Sequence, residues 1–508
     1  MRTLVRLLLA LALAALLPAL ALADTRALLV ACSDFVSQPN LGNATSGNLQ
    51  MIGSALLGAD PRLTGLSIED GTIGTAQALD EAITRAFGAA TEEDLSILYL
   101  CTHGILSSSD DAQAYLLLGD GETETPLSAS SLYEMIAPIQ GEKLLILDAC
   151  FSGALIGRGA GAGIALPGAK SVERMLASPF LADPSIHVLT SADGHEAGWY
   201  YDSDQLATGA VSYFASALSS GLGLYGSVEA DANGDGMLTL RELYGYLRVA
   251  VPSSSAQLLS SSADSLLLPA AQGAMLSRPL TGFSYGSSLL LASDPTLDFS
   301  FTVAQEAAVQ YRLIEYADGG WDWEGAQTFL DAGDAQTGDT RAGDDLPGND
   351  GGAGTLTPGR KSRSLTLSGV TPQDSGYLML QVFSVTGSEL ILCSERLIAV
   401  QSAQTGAQLA LRAPHRLAQP GVSELALSVT LDTPAELTVS VFDSQGRLLR
   451  RLAQSALTRP AADDTTRLYW DGRDAQGELV PEGDYVLAAE ALVGTQRQKA
   501  TANVRVGG

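Results

Sequence analysis

Basic side chains are scarce in this chain of 508 residues: 29 Lys and Arg stand against 57 Asp and Glu, for a formal net charge of −28 at pH 7. A surface of that sign repels nucleic acid and anionic membranes, which are held by basic patches. Cations and basic peptides are its natural partners. Cysteine is rarer still, and four in the whole chain exclude a disulfide scaffold. Beyond the first 23 positions no apolar stretch is long enough to span a bilayer, so no membrane span is expected in the mature chain. What the chain has in quantity is core material. Hydrophobic residues make up 46% and charged ones 17%, which is incompatible with wholesale disorder. The length predicts about three domains.

The N-terminus reads as a signal peptide over 1–23. Arg2 and Arg6 give a positive start, Leu7 to Leu17 an apolar stretch, and Ala21-Leu22-Ala23 a small-residue cleavage site. The expectation is an exported protein: periplasmic, cell-surface or extracellular, of bacterial type.

From Thr25 to about Ala250, short apolar runs alternate with helical stretches. Ala27–Ala31, Leu95–Leu100, Lys143–Leu147 and Ile186–Leu189 have strand length and near-continuous apolar character, as strands buried on both faces of a parallel sheet do. Between them the spacing predicts helices over Gly47–Leu57, Thr75–Phe87, Ser128–Ile139 and Ala207–Leu218. The alternation predicts a doubly wound α/β domain over 24–275. After position 280 the period changes to two, clearest in Leu297–Val303, which predicts a β-sandwich over 276–400. Gly, Asp and Thr dominate 331–362, which reads as an acidic loop. Strand signals return at Ser364–Leu367, Tyr377–Val385 and Leu390–Val400, and Asp374–Tyr377 resembles the turn and tyrosine before a late immunoglobulin strand. A third unit, 401–508, starts with alternating strands at Leu425–Leu431 and Ala435–Phe442 joined to a turn at Asp443–Gly446.

Two strand ends carry nucleophile and base chemistry. Tyr99-Leu100-Cys101-Thr102-His103-Gly104 closes one run, and Leu147-Asp148-Ala149-Cys150-Phe151-Ser152-Gly153 closes another. Ligands of open α/β sheets bind at this carboxyl edge. A thiol needs a base or an electropositive setting to attack, and an imidazole on a neighbouring strand supplies one. The bland alternatives are an inert buried thiol and a structural histidine.

These two motifs resemble clan CD cysteine peptidases: caspases, metacaspases and clostripain-like enzymes. The resemblance covers roughly 25–250 and implies a caspase-like, mostly parallel sheet. It implies that His103 is the catalytic imidazole, Cys150 the nucleophile, and backbone N–H groups near Gly104 and Cys150 the oxyanion donors. It also implies that Asp148 lines an S1 pocket selecting Arg or Lys, with Asp34 and Asp193 as further candidates. Turn formation is the competing role for Asp34 and Asp193, and strand capping for Asp148. No arginine stands near Asp34 or Asp148 to hold an acidic P1 residue. His195 is a rival base. The run Trp470-Asp471-Gly472, with Gly477, Pro481, Gly483 and Tyr485, resembles the immunoglobulin-like domain of flagellar hook-capping proteins. Such a module implies display, spacing or secretion.

Asp231-Ala232-Asn233-Gly234-Asp235-Gly236-Met237-Leu238-Thr239-Leu240-Arg241-Glu242 fits a 12-residue calcium loop. Asp231, Asn233, Asp235, the Met237 carbonyl, Thr239 (directly or through water) and Glu242 fall at ligand positions, and Gly236 at the sharp turn. An Asx-rich turn capped by Glu242 is the competing reading. Ca2+ is the expected metal, with no organic cofactor. In the Gly- and Ala-rich stretch after the nucleophile, Arg158 and Lys170 are candidate self-cleavage points. Cys32 and Cys101 end strands that the resemblance places side by side, which leaves a disulfide open. The expected function is thus a secreted cysteine endopeptidase. The competing one is a non-catalytic binding or adhesion protein on the same scaffold.

Overall fold

Apolar runs that satisfy their backbone only in a ladder end up side by side in the computed structural model. It describes residues 24–507 apart from 59–62, 108–112, 158–177, 195, 199, 202–210, 252–253, 272, 274–275, 277, 318–319, 323, 332, 334–339, 342–353, 368–375, 387–388, 402–407, 422–423, 459–464 and 494–495. The signal segment 1–23, Arg158, Lys170 and His195 therefore lie outside the described residues, as does much of 331–362. The chain divides into two compact units, the first made of 1–162, 178–200 and 211–275 and the second of the remainder, chiefly 276–508.

The first unit contains β1 (Thr25–Ala31), β2 (Leu63–Asp70), β3 (Leu95–Cys101), β4 (His103–Leu106), β5 (Ala114–Gly119), β6 (Glu124–Leu127), β7 (Glu142–Asp148) and β8 (Ile186–Thr190). The main sheet runs β2-β1-β3-β7-β8 with every neighbouring pair parallel, and the short strand Gln257–Leu259 closes it antiparallel beside β8. All seven residues of β3 are buried, which explains its continuous apolar reading. Edge strand β2 gives no such run, because most of its residues are partly or fully exposed. A second, three-stranded antiparallel sheet, β4-β5-β6, follows β3 directly.

Helices form where caps and apolar spacing agree. Thr75 caps Ala76–Phe87 by accepting from Ala78 N–H at 3.1 Å, and Ser128 caps Ala129–Ile136 by accepting from Ser131 N–H at 3.0 Å. The helix expected from Ala207 begins instead at Tyr213. Ser212 accepts from Ala215 N–H at 2.8 Å and donates to Asp148, which holds 211–212 extended. No described helix is long and apolar enough to cross a membrane.

In the second unit two pairs of sheets each enclose a core. One core joins Leu297, Phe299 and Phe301 with Tyr311, Leu380 and Val382 from the facing sheet. Asp331, buried within it, accepts from Arg363 at 2.7 and 3.0 Å and from Tyr311 at 2.6 Å. Position 331 is thus core rather than loop, and the strand expected at Ser364 begins at Gly359. The other core joins Leu427, Val429 and Trp470 with Val439, Val441 and Tyr485. Trp470 donates to the Arg473 carbonyl at 2.9 Å, its ring meets Tyr485 at 5.6 Å, and Tyr485 donates to the Pro481 carbonyl at 2.6 Å. The Trp-Asp-Gly run is therefore a packing motif. Tyr377 donates to Thr458 Oγ1 at 2.6 Å, while the turn at Asp374 lies outside the described residues.

His187 sits in β8 with no exposed surface. Its Nδ1 is 2.8 Å from Ser260 Oγ and its Nε2 2.8 Å from Glu142, while Lys143 and Asp183 are the other nearby charges. Burial lowers its proton affinity below the ordinary 6.5, although Glu142 opposes this. The unfolded chain then binds this proton at a higher pH than the folded one, so stability falls as pH drops below about 6.5. Denaturant melts between pH 7 and 5 should show that slope, and His187→Gln should flatten it. An unchanged slope in the variant would assign the pH response elsewhere.

Candidate active site

Strand register brings the motifs to one edge. Ala31, Cys101 and Asp148 are direct neighbours across β1, β3 and β7, and Leu147 pairs with Thr190 of β8. The segments that follow carry Asp34, His103, Cys150 and Asp193.

His103 is the first residue of β4, in register with Leu117 of β5. Thr102, between β3 and β4, donates its N–H to the Asp148 carbonyl at 3.2 Å and its hydroxyl to the Leu117 carbonyl. The imidazole Nε2 lies 2.8 Å from the Pro39 carbonyl, and the Phe35 ring lies 4.6 Å away at 56°. A carbonyl can only accept, so Nε2 carries the proton in the neutral ring and Nδ1 is left as the acceptor.

The next residue makes the closest approach of the site. A Cβ at Gly104 would overlap the carbonyl oxygen of Cys150, so only glycine lets the histidine strand reach the cysteine turn. That turn is itself unusual. Phe151 has φ 57°, the one positive value among the described non-glycine residues, at a typical cost of about 1–3 kcal/mol. Gly153 fits against the Ala192 carbonyl, where a Cβ would come to 2.8 Å.

Residues 196–198 lie beside Cys150. Phe151 N–H donates to the Glu196 carbonyl at 2.8 Å and Gly198 N–H to Cys150 Sγ at 3.3 Å. The Glu196 carboxylate fixes this segment by accepting from Ser255 N–H at 2.7 Å and Ser255 Oγ at 3.0 Å. Burial pushes the Cys150 thiol above its ordinary 9.0, and the Gly198 contact offsets part of that.

Asp148 is buried below this edge. Tyr99 and Ser212 donate to its Oδ2 at 2.8 and 2.6 Å, with Asn48 farther at 3.4 Å. Burial raises its carboxyl above the usual range, against the pull of Ser212, Tyr99 and Ser191. Asp34 is exposed, with Ser33 Oγ donating to it at 2.8 Å. Asp193 is buried and turned onto its own loop, accepting from Gly194 N–H at 2.6 Å. Cys32 and Cys101 are free thiols: Cys32 donates to the Ile73 carbonyl, and Cys101 accepts from Asn48. Pro39, Phe35 and Gly198 carried no signal in the sequence, because each acts through backbone or ring placement rather than a motif, and Glu196 because its carboxylate meets Ser255 far along the chain.

The loop 231–242 adopts the expected turns. Asp231 accepts from Gly234 and Gly236 N–H at 2.8 and 2.9 Å, Asn233 from Asp235 N–H and Asp235 from Met237 N–H, both at 2.8 Å. Gly234 and Gly236 have φ 73° and 79°. Glu242 faces the helix start, accepting from Thr239 N–H and Oγ1 in a capping box. Among the described residues no three His, Cys, Asp or Glu side chains gather as a metal centre. The oxygen-only donor set suits a hard cation, with Glu242 needing to leave its cap to join it.

The family model for the CHAT domain matches residues 7–178, and that for the FlgD Ig-like domain matches 416–494. No curated protein matches. Among solved structures, caspase-1 from Spodoptera frugiperda is 13% identical, covering 50% of this chain and 92% of its own, with a TM-score of 0.31. A secreted C11 cysteine protease from Bacteroides thetaiotaomicron is 12% identical over 34% of this chain and 50% of its own, with a TM-score of 0.23. CopC from Methylosinus trichosporium OB3b is 17% identical over 20% of this chain and 94% of its own, with a TM-score of 0.15. The chain therefore carries a CHAT domain over 7–178 and a FlgD Ig-like domain over 416–494.

Proposed function

We propose that the first unit is a cysteine endopeptidase acting on protein substrates after Arg or Lys. The observation that carries this reading is the interlock of the two motifs: Gly104 packs on the Cys150 backbone while His103 is held at Nε2 with Nδ1 open. In the reaction, His103 Nδ1 takes the thiol proton as Cys150 Sγ bonds to the scissile carbonyl carbon. Backbone N–H groups near Gly104 and Cys150 receive the oxyanion. The C–N bond then breaks, His103 returns the proton to the leaving amine, and water hydrolyses the thioester.

Asp148 is the carboxylate proposed to select a basic P1 group, with Asp34 at the rim. Tyr99, Ser212 and Asn48 donate to the Oδ2 of Asp148, and a guanidinium would add a cationic partner to this buried carboxyl. Asp193 is bound into its own turn, which favours a shaping role. Arg158 and Lys170, basic residues soon after the nucleophile, are proposed self-cleavage points. Export through the 1–23 segment completes the reading.

A second reading, a non-catalytic binding protein, is favoured by one observation: the Cys150 thiol is pushed up by burial rather than down.

Asp231, Asn233, Asp235, the Met237 carbonyl, Thr239 and Glu242 are proposed to hold Ca2+, which would supply cross-linking of the loop to helix Leu240–Ala250.

Fluorogenic peptides with P1 Arg, Lys or Asp decide between the two readings. Arg and Lys peptides should be cleaved, and Cys150→Ala should lower the rate by about a thousandfold or more. Cleavage after Asp would overturn the S1 assignment alone, and no cleavage of any peptide would favour the binding protein. For calcium, melting curves with Ca2+ and with chelator should differ. At a hundredfold excess over Kd the gain is about 2.7 kcal/mol. Asp231→Ala should abolish the difference, and equal curves for the native chain would dismiss the site.

A further inference from the structure

The histidine of the proposed dyad is held by a loop that has no secondary structure of its own. Residues 34–41 leave β1 and reach the helix Asn43–Leu57. Two of them touch His103: the Phe35 ring against its face, and the Pro39 carbonyl at Nε2. A loop this short stays in place only if its own amides are satisfied from outside. One side chain does most of that. Glu124, the first residue of β6, accepts from Val36 N–H at 2.7 Å and from Ser37 N–H at 2.8 Å. Its other oxygen accepts from the Ser37 hydroxyl. Within the loop, Phe35 N–H donates to Asn40 Oδ1 at 2.8 Å, and at its base Gly121 N–H donates to the Asp34 carbonyl at 3.0 Å. β6 pairs with β5, and β5 with β4, whose first residue is His103. The carboxylate and the imidazole thus stand on one small sheet, and the loop closes a ring between them.

We propose that Glu124 is a positioning residue of the active site: by fixing Val36 and Ser37 it sets the Pro39 carbonyl and the Phe35 ring that orient His103. The proposal rests on the endopeptidase reading for its kinetic consequence, but not for its structural one. The geometry specifies a carboxylate or an amide here. Three donors converge on two oxygens, and a glutamine carbonyl can still take two of them. Electrostatics agree with the placement. Bonds from Ser37 and Val36 hold the Glu124 carboxyl below its ordinary 4.5, and the nearby His103 adds to this. Misplacement of a catalytic group by about 1 Å costs on the order of a hundredfold in rate. Glu124 bonds Val36 and Ser37, neither of them a proposed substrate contact, and Asp34 keeps its own tie to Gly121, so the loss should fall mainly on kcat.

Two variants and two readouts test this in the full chain. Glu124→Ala should lower kcat about ten- to a hundredfold with KM within about twofold, and Glu124→Gln should restore most of it. The thermal midpoint should be the same in all three proteins. The second readout needs no substrate. Diethyl pyrocarbonate acylates an accessible imidazole nitrogen, and peptide mass spectrometry resolves His103 from the other histidines. Release of Nε2 from Pro39 should raise the His103 rate severalfold in Glu124→Ala and leave it near the native value in Glu124→Gln. A loss of kcat that tracks a fall in thermal midpoint would make Glu124 merely structural. An unchanged His103 acylation rate in Glu124→Ala would overturn the proposal. A native chain that cleaves no peptide, yet whose His103 acylation rises in Glu124→Ala, would remove the peptidase reading and leave the positioning claim standing.

Discussion

A single backbone contact organises the active edge of the first unit. Gly104 lies against the Cys150 carbonyl with no space for a methyl group, and the rest of the site is arranged around that approach. It requires β3 and β7 to be adjacent and in register, which their Cys101–Asp148 pairing supplies. It requires the chain to turn outward between His103 and the sheet, which Thr102 secures by bonding to Asp148 and Leu117. It also requires the cysteine turn to present its carbonyl toward β4, and the left-handed Phe151 lies in that turn. Strain of this kind persists only where surrounding bonds over-determine it. Here those are Phe151 N–H to Glu196 and Gly153 N–H to Ala192, at 2.8 and 3.0 Å.

The buried Asp148 shows how structure and proposed specificity compete for one group. A carboxylate taken out of water loses hydration that only good donors replace. Tyr99, Ser212 and Asn48 supply them, and Ser212 also caps helix Tyr213–Gly221, so the same side chain joins the buried carboxylate to that helix. Burial still outweighs these donors, and the carboxyl titrates above its usual range. An arriving guanidinium would reverse that balance by favouring the ionised form.

Much of this was legible in the sequence, and the divide is physical. Strands buried on both faces announce themselves as continuous apolar runs, and β1, β3, β7 and β8 were all readable for that reason. Strand β2, half exposed at the edge, was not. Nor was the β4–β6 sheet, whose outer strands are four residues long and leave no period to detect. The His-Gly and Asp-Ala-Cys motifs marked the strand ends. Their partners Pro39, Glu196 and Gly198 contribute mainly backbone atoms, and any residue has a carbonyl. Asp331 fell inside a stretch whose composition reads as loop, yet it is buried and bonded by a half-buried Arg363 and a buried Tyr311. Composition averages over a window, whereas pairing is decided residue by residue.

The state of the thiol explains why histidine geometry should govern this site. A cysteine activated by its surroundings alone carries a lowered pKa, from a cation or a helix N-terminus. Cys150 has instead been moved up by burial, and the polar contact described at its sulfur is the Gly198 amide. A thiol held in its neutral form attacks only when a base removes its proton during the reaction. The imidazole must then sit at the right distance with the right nitrogen exposed, since no stored thiolate can compensate for a poor placement. The proposed chemistry therefore depends, besides the thiol itself, on what holds His103: the Phe35 ring face and the Pro39 carbonyl, both carried on a loop that Glu124 ties to the short sheet bearing the imidazole.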